Sequence, residues 1–202
     1  MGLEEYRRSV SENKHASILK AGRKHFLANG YTGAAAAEIA READVSTATL
    51  YKHFSSKEEL FAAVVKDAYR EVEFPPLPEH SNLADVMVAV LNSYLVLNFE
   101  REITALLRIV IAEVPAAPQL ALDLFDELIT SRYQKMVDIV DQLILQGDFK
   151  PHDSQFGVRL LIGTIKENYI WPALFDSNAT TPENAEGFLR HVVTDYLRLY
   201  GR

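Results

Sequence analysis

The chain has no cysteine in its 202 residues. That absence excludes a disulfide framework and every thiolate metal site, and it suits a reducing compartment such as the cytoplasm. Also missing is any run of about 18 apolar residues, so no membrane span is expected. The opening stretch, Met1 to Val10, carries Glu4, Glu5, Arg7 and Arg8 and lacks the apolar segment of a signal peptide. Signals for strands, hairpins, internal repeats or low-complexity tracts are lacking too. So is an assembled catalytic set. His80, His152 and His191 are scattered without metal-ligand spacing, and there is no phosphate-binding glycine loop, nucleophile elbow or paired-carboxylate constellation. The expectation is a non-enzymatic chain with no cofactor and no metal. Finally, there is no overall excess of positive charge: the formal net charge is -7.

That charge is unevenly placed. Residues 1–57 hold nine Lys/Arg against six Asp/Glu, whereas residues 58–202 hold twelve against 22. A basic first quarter on an acidic remainder suits a small nucleic-acid-binding head on a separate body. With 48% hydrophobic residues, the chain has ample material for a packed core.

Apolar spacing reads as helix almost throughout. A first segment, about Glu12 to Asn29, repeats Ile18, Ala21, Phe26 and Leu27 at helical intervals and stops at Gly30. Short segments follow at about Ala34–Glu42 and Thr47–Phe54. Ser56-Lys57-Glu58-Glu59 has the capping-box pattern and opens a helix to about Glu73, ended by Pro75, Pro76 and Pro78. Ser81 can cap a segment to about Phe99. Others span about Arg101–Glu113 and run from Pro118 to Gly147. Asp153 can cap a helix to Phe175, and Thr181-Pro182-Glu183 reads as the start of a last helix to about Leu199.

The informative segment is Glu38-Ile39-Ala40-Arg41-Glu42-Ala43-Asp44-Val45-Ser46-Thr47-Ala48-Thr49-Leu50-Tyr51. Two helices crossing at about 90–120° through a tight turn need a small residue at the crossing, and Ala40 provides it. The turn needs a residue that accepts left-handed backbone, which Asp44 can do, though less readily than glycine. Val45 plugs the angle, Ser46 can cap the second helix, and Leu50 faces the core.

With Ile18-Leu19-Lys20-Ala21, Phe26, Gly30-Tyr31, Ile39-Ala40, Val45-Ser46, Thr49-Leu50-Tyr51, Phe54, Lys57 and Leu60, residues 14–61 resemble the DNA-binding head of the TetR family of bacterial repressors. Leu107 to Glu113, ahead of Pro115 and Pro118, is similar to one regulatory-domain branch of that family. The resemblance implies an all-α fold: a three-helix helix-turn-helix DNA-binding head over residues 1–56, and a larger effector-binding and dimerisation domain over 57–202. It implies that Thr47, Ala48, Tyr51 and Lys52 approach base edges of double-stranded DNA, and that Ser46, Thr49, Tyr51, His53 and Lys57 reach phosphates. Hydroxyls and ammonium groups suit phosphate oxygens, and the methyls of Thr47 and Ala48 suit thymine methyls. No Arg, Asn or Gln lies between Ser46 and Phe54, so phosphate contacts and DNA shape are expected to carry much of the binding. Three positions depart from the family pattern: Ala34 and Ala35 replace hydroxyl residues, with Thr32 as a substitute; Asp44 replaces the turn glycine; and Gly22 replaces an alanine.

The body is expected to enclose a small, largely apolar effector that releases a repressor from a palindromic operator. Tyr94, Phe99, Phe125, Tyr169 and Trp171 are its candidate aromatics, with Asn98, Arg108, Glu167 and Asn168 as polar anchors. Apolar residues on most faces of the helix before the last, and a two-residue-wide stripe on the last, call for a second subunit. Phe156, Leu160, Trp171, Phe188, Leu189, Val192, Val193 and Tyr196 are the candidate homodimer interface. If the helix opening near Ser56 swings on effector binding, the spacing of two recognition helices changes, and with it simultaneous docking to half-sites about one DNA turn apart. The alternative is a small-molecule-binding or protein-interaction module whose DNA head has decayed, motivated by Ala34, Ala35 and Asp44.

Overall fold

In the computed structural model the chain is described at residues 2–70, 82–100 and 102–202. Every regular element there is helical: α1 (Leu3–Gly33), α2 (Ala36–Glu42), α3 (Thr47–His53), α4 (Lys57–Arg70), α5 (Leu83–Glu100), α6 (Ile103–Glu113), α7 (Pro118–Leu124), α8 (Ser131–Gln146), α9 (Ser154–Ile165), α10 (Trp171–Phe175) and α11 (Ala185–Tyr200). Wider π-helical turns join α7 to α8 over Phe125–Thr130 and α9 to α10 over Lys166–Ile170. The all-α expectation holds.

Two compact units emerge. The first comprises residues 1–71 with 105–124, the second residues 72–104 with 125–202. In the first unit α1 packs on α2 and α4, and α2 on α3. Its buried side chains include Ile18, Phe26, Ile39, Leu50, Phe54, Leu60, Phe61 and Val64. Phe26 meets Phe61 edge-on at 5.0 Å. Gly22 sits where α1 lies close against α4: a Cβ there would lie 3.2 Å from Val64 Cγ2 and 3.5 Å from Leu60 Cδ1. Its low helix propensity is offset by that approach. Gly30 bends α1 at φ 69°, ψ 178°, a region open essentially to glycine alone.

The second unit is a bundle in which α5 packs on α11, and α9 on both α8 and α11. Leu91, Leu95, Val137, Val140, Phe149, Val158, Ile165, Leu189, Val193 and Tyr196 form its core. Its C-terminus is clasped. The Lys150 amide donates to the Tyr200 carbonyl at 2.7 Å, and the His152 ring stacks on Tyr200 at 3.9 Å. His152 Nδ1 lies 2.8 Å from the Lys150 carbonyl, which can only accept, so Nδ1 carries the proton. In the neutral ring Nε2 then accepts from the Tyr196 hydroxyl at 2.8 Å.

Several boundaries differ from the sequence reading. Helix α1 begins at Leu3 rather than Glu12 and carries on past the Gly30 bend to Gly33. At α4 the Ser56 hydroxyl accepts from the Glu59 amide at 3.1 Å, but the Glu59 carboxylate reaches the amide and hydroxyl of Ser55, one residue before the cap. Asn82 caps α5, accepting from the Asp85 amide at 2.9 Å. Glu102, at φ 58°, breaks α5 from α6. Gly147 (φ 87°) ends α8 and Asp153 caps α9 as expected. Helix α11 starts at Ala185, not at Thr181-Pro182-Glu183; Asn184 is its cap residue, without a side-chain bond, and Ala185 is buried in the second core. Ser81, Pro75, Pro76, Pro78 and His80 lie outside the described residues.

Candidate nucleic-acid interface

The angle between α2 and α3 is closed by backbone. The Val45 amide donates to the Ala40 carbonyl at 3.0 Å and the Asp44 amide to the Arg41 carbonyl at 3.2 Å, with Asp44 at φ 54°. This is the Schellman pattern, with the left-handed position filled by aspartate. Asp44 therefore meets the turn's geometric demand without glycine. Ser46 then starts α3, its hydroxyl accepting from the Thr49 amide at 3.1 Å and lying 2.9 Å from the Thr49 hydroxyl. Leu50 anchors α3 from its fully buried position.

With Leu50 turned inward, Thr47, Ala48, Tyr51 and Lys52 are exposed. Their spacing of one, four and five residues places them on one helix face. Tyr51 is 44% exposed, a large aromatic with no core assignment. Thr49 and His53 are half-buried at its margin. His53 sits beside His15, with ring centroids 5.9 Å apart. Burial, then the charges of His15, Lys52 and Lys14, hold its imidazole below its ordinary pKa. Lys14 and His15 are not among the contact residues that the resemblance implies, and α1 packing brings them here.

Lys57 is not a simply solvated helix start. Its Nζ donates to the carbonyls of Ala34 (3.2 Å) and Thr32 (3.4 Å) and lies 4.5 Å over the Tyr31 ring. Tyr31 in turn donates to Glu58 at 2.7 Å. Burial and that hydrogen bond push the Tyr31 phenol upward, and the same bond holds the Glu58 carboxyl below its usual range. The start of α4 is thus riveted to the α1–α2 joint. Ala35 occupies the first cap of α2 with no side-chain bond. Thr32 does not substitute, because its hydroxyl lies 3.4 Å from Glu113 instead.

In the second unit Tyr94, Phe99 and Tyr169 are half-buried against one core, and Asn98 is buried. The Asn98 amide donates to the Tyr94 carbonyl at 2.6 Å, and its backbone carbonyl accepts from Thr104 at 2.8 Å. Phe125, Glu167, Asn168 and Trp171 are exposed rather than gathered around that interior, and Arg108 belongs to the first unit. The interface candidates divide likewise. Leu189, Val193 and Tyr196 are buried in the chain's own core, and Phe188 and Val192 pack against it. Phe156, Leu160 and Trp171 are exposed, the last at 51%. Among the described residues no three His, Asp or Glu side chains converge in a way that could hold a metal ion, and no single helix is long and apolar enough to cross a membrane.

A bihelical turn riveted to two supporting helices, followed by a larger helical body, defines the class of helix-turn-helix transcriptional regulators. Comparison supplies the family. A model described as "Bacterial regulatory proteins, tetR family" matches residues 18–64, and one described as "AefR-like transcriptional repressor, C-terminal domain" matches residues 85–202. The chain belongs to the TetR family of DNA-binding transcriptional regulators. It is similar to YdeS of Bacillus subtilis (strain 168), named as an uncharacterized HTH-type transcriptional regulator, at 28% identity over 163 residues, 78% of this chain and 79% of that protein. Among solved structures, a candidate TetR-family transcriptional regulator from Mesorhizobium loti MAFF303099 shares the fold with TM-score 0.80 and 23% identity, covering 95% of this chain and 98% of that one. The flavonoid-responsive regulator FrrA does so with TM-score 0.73 and 20% identity, covering 93% and 97%.

Proposed function

We propose that the protein is a ligand-responsive repressor that binds a palindromic operator as a homodimer in the cytoplasm and leaves it when a small, largely apolar effector binds. The observation that carries this reading is the exposed face of α3, held by an intact turn and a fully buried Leu50. Thr47, Ala48, Tyr51 and Lys52 meet base edges; Ser46, Thr49, Tyr51 and His53 meet phosphates at its margin. Lys57 spends two of its three N–H donors on carbonyls and keeps one for a phosphate. Residues 1–56 are the reading head, and 57–202 carry effector binding and dimerisation.

The repressor direction is supported by the description of the matched C-terminal model. The effector class is supported by three half-buried aromatics on one core, Tyr94, Phe99 and Tyr169, and by the buried amide of Asn98 beside Tyr94. FrrA, which shares the fold, is named for its response to flavonoids, and an aromatic effector fits those residues. For the dimer, Phe156, Leu160 and Trp171 supply the exposed apolar surface that a two-fold partner covers.

The test is selection of bound duplexes from a random pool, followed by affinity against salt. The expected result is a two-fold-symmetric site and a linear fall of log affinity with log salt. Failure to enrich any sequence, with only weak binding that vanishes at moderate salt, would sink the operator reading.

A further inference from the structure

Helix α1 starts well before the head into which it packs. From residue 5 to residue 17 every side chain is exposed except half-buried Val10; full burial begins at Ile18. A helical stretch of about a dozen residues standing clear of a core is marginal in water, so what covers it matters. The stripe that buries Ile18, Gly22 and Phe26 continues toward the N-terminus, at steps of three and four, as His15, Ser11 and Arg8. His15 stacks on Phe54 at 4.8 Å and lies 5.9 Å from His53. The extension therefore leaves the head alongside the C-terminal end of α3, continuous with the face that reads DNA.

Most of its charges are sorted. At about 100° per residue, Arg7 and Lys14 fall on one flank and Glu5 and Glu12 lie roughly 150° away, while Glu4 falls about 60° from Arg7. Glu5 is occupied at the helix start, where its carboxylate accepts from the Gly2 nitrogen at 2.9 Å. Arg7, Arg8 and Lys14 have no ion-pair partner among the described residues, and Lys14 lies close enough to His53 to depress its pKa. Arg7 and Lys14 are seven residues apart, about 10.5 Å along the axis, or roughly three base steps of one DNA strand. All these positions precede residue 18, where the match to the family's DNA-binding model begins.

We propose that the N-terminal extension of α1 is a second DNA-backbone contact, in which Arg7 and Lys14, with Arg8 beside them, bind phosphates flanking those met by α3. The inference rests on the DNA-reading function above. Arg7 and Lys14 alone add two charge contacts per subunit, and the extension lengthens the footprint of each half-site outward from α3. Because these residues touch phosphate and no base, they raise affinity on every sequence alike.

The experiment uses the full chain and a 30-base-pair duplex of ~10² Å length carrying the selected site. Affinity is measured from 50 to 200 mM salt for the wild type, for Arg7→Gln/Lys14→Gln, and for Lys135→Gln/Lys150→Gln, an equal charge change in the second unit. Per half-site, the first pair is expected to lower the log–log slope by about 1.8, so that its deficit at 50 mM exceeds that at 200 mM by roughly tenfold. The control pair leaves the slope in place, and Arg7→Lys/Lys14→Arg restores it. A wild type that binds no duplex overturns the DNA reading and this inference together. A wild type that binds its site while Arg7→Gln/Lys14→Gln keeps the full slope, or while the control pair lowers it equally, overturns this inference alone.

Discussion

Helix α3 and the α9–α10 face expose opposite chemistries from equally well-anchored helices. On α3 a buried Leu50 holds out threonine, alanine, tyrosine and lysine. On α9 and α10 a buried line of Val158, Ile162, Ile165 and Ala173 holds out Phe156, Leu160, Trp171 and Phe175. A polar, basic surface is stable in water and can be occupied and vacated. An apolar one is stable only when covered, as in obligate dimers. On the proposed function, the head makes the reversible contact and the body the lasting one, and that contrast can be attacked from either side.

The largest effect is expected at the body. Trp171→Arg places a charge on each half of a two-fold apolar contact. Sedimentation should show monomers, and operator affinity should fall by on the order of 100-fold, since losing the second half-site removes several kcal/mol. Retention of the dimer would break the contrast. Next is the head's own frame. Gly30→Ala forces a Cβ into a glycine-only backbone region and should cost about 1–3 kcal/mol in a denaturant titration, with binding reduced only as far as the fold is. Leu50→Ala should cost more than Tyr51→Ala in stability, about 2–5 kcal/mol against ~0.5 or less. Tyr51→Ala should be the worse of the two for DNA affinity at temperatures where both are folded. That crossing of ranks is what separates a presented side chain from a packed one.

Smaller still is the pH response. The folded-state pKa of His53 is depressed, so as pH falls through the ordinary histidine value, near 6.5, the unfolded chain takes up a proton before the folded chain does. Stability contributed by the neutral ring is present above that value and declines below it until the folded pKa is passed. Thermal melts of wild type and His53→Gln between pH 8 and 5 should show the larger wild-type advantage at the high end and the steeper loss in the wild type as pH falls. Equal slopes would remove His53 from the account. The least effect is expected for Asp44→Gly, which relieves up to about 1 kcal/mol of left-handed strain and removes an anion near the reading face. Affinity should rise slightly.

The head was largely legible in the sequence because its rules are local. Ser46, Asp44, Val45 and Leu50 each answer one steric or capping demand within seven residues, and the structure has Asp44 in left-handed backbone, Ser46 capping α3 and Leu50 fully buried. Gly147 and Asp153 were readable for the same reason. The body was not, because helical periodicity shows that a face is buried but not by whom. Leu189, Val193 and Tyr196 form a stripe suited to a partner, yet α5 and the chain's own core take them up. The π-helical turns at Phe125–Thr130 and Lys166–Ile170 shift the phase of a 3.6-residue repeat, and Glu167, Asn168 and Trp171, named as candidate pocket residues by type, are exposed. The first turns of α1 carry too few apolar residues to register as an amphipathic helix, and their basic flank appears only once His15 is seen against Phe54.

On the proposed function, the exposed face of α3 reads base edges. The direct measurement is to repeat the random-pool selection with Ala48→Asn beside the wild type. Asparagine can bond adenine bidentately in the major groove. The account predicts a changed base preference at one position, repeated symmetrically in both half-sites, with the rest of the site preserved. An unchanged preference at unchanged affinity would mean that α3 does not lie in the groove.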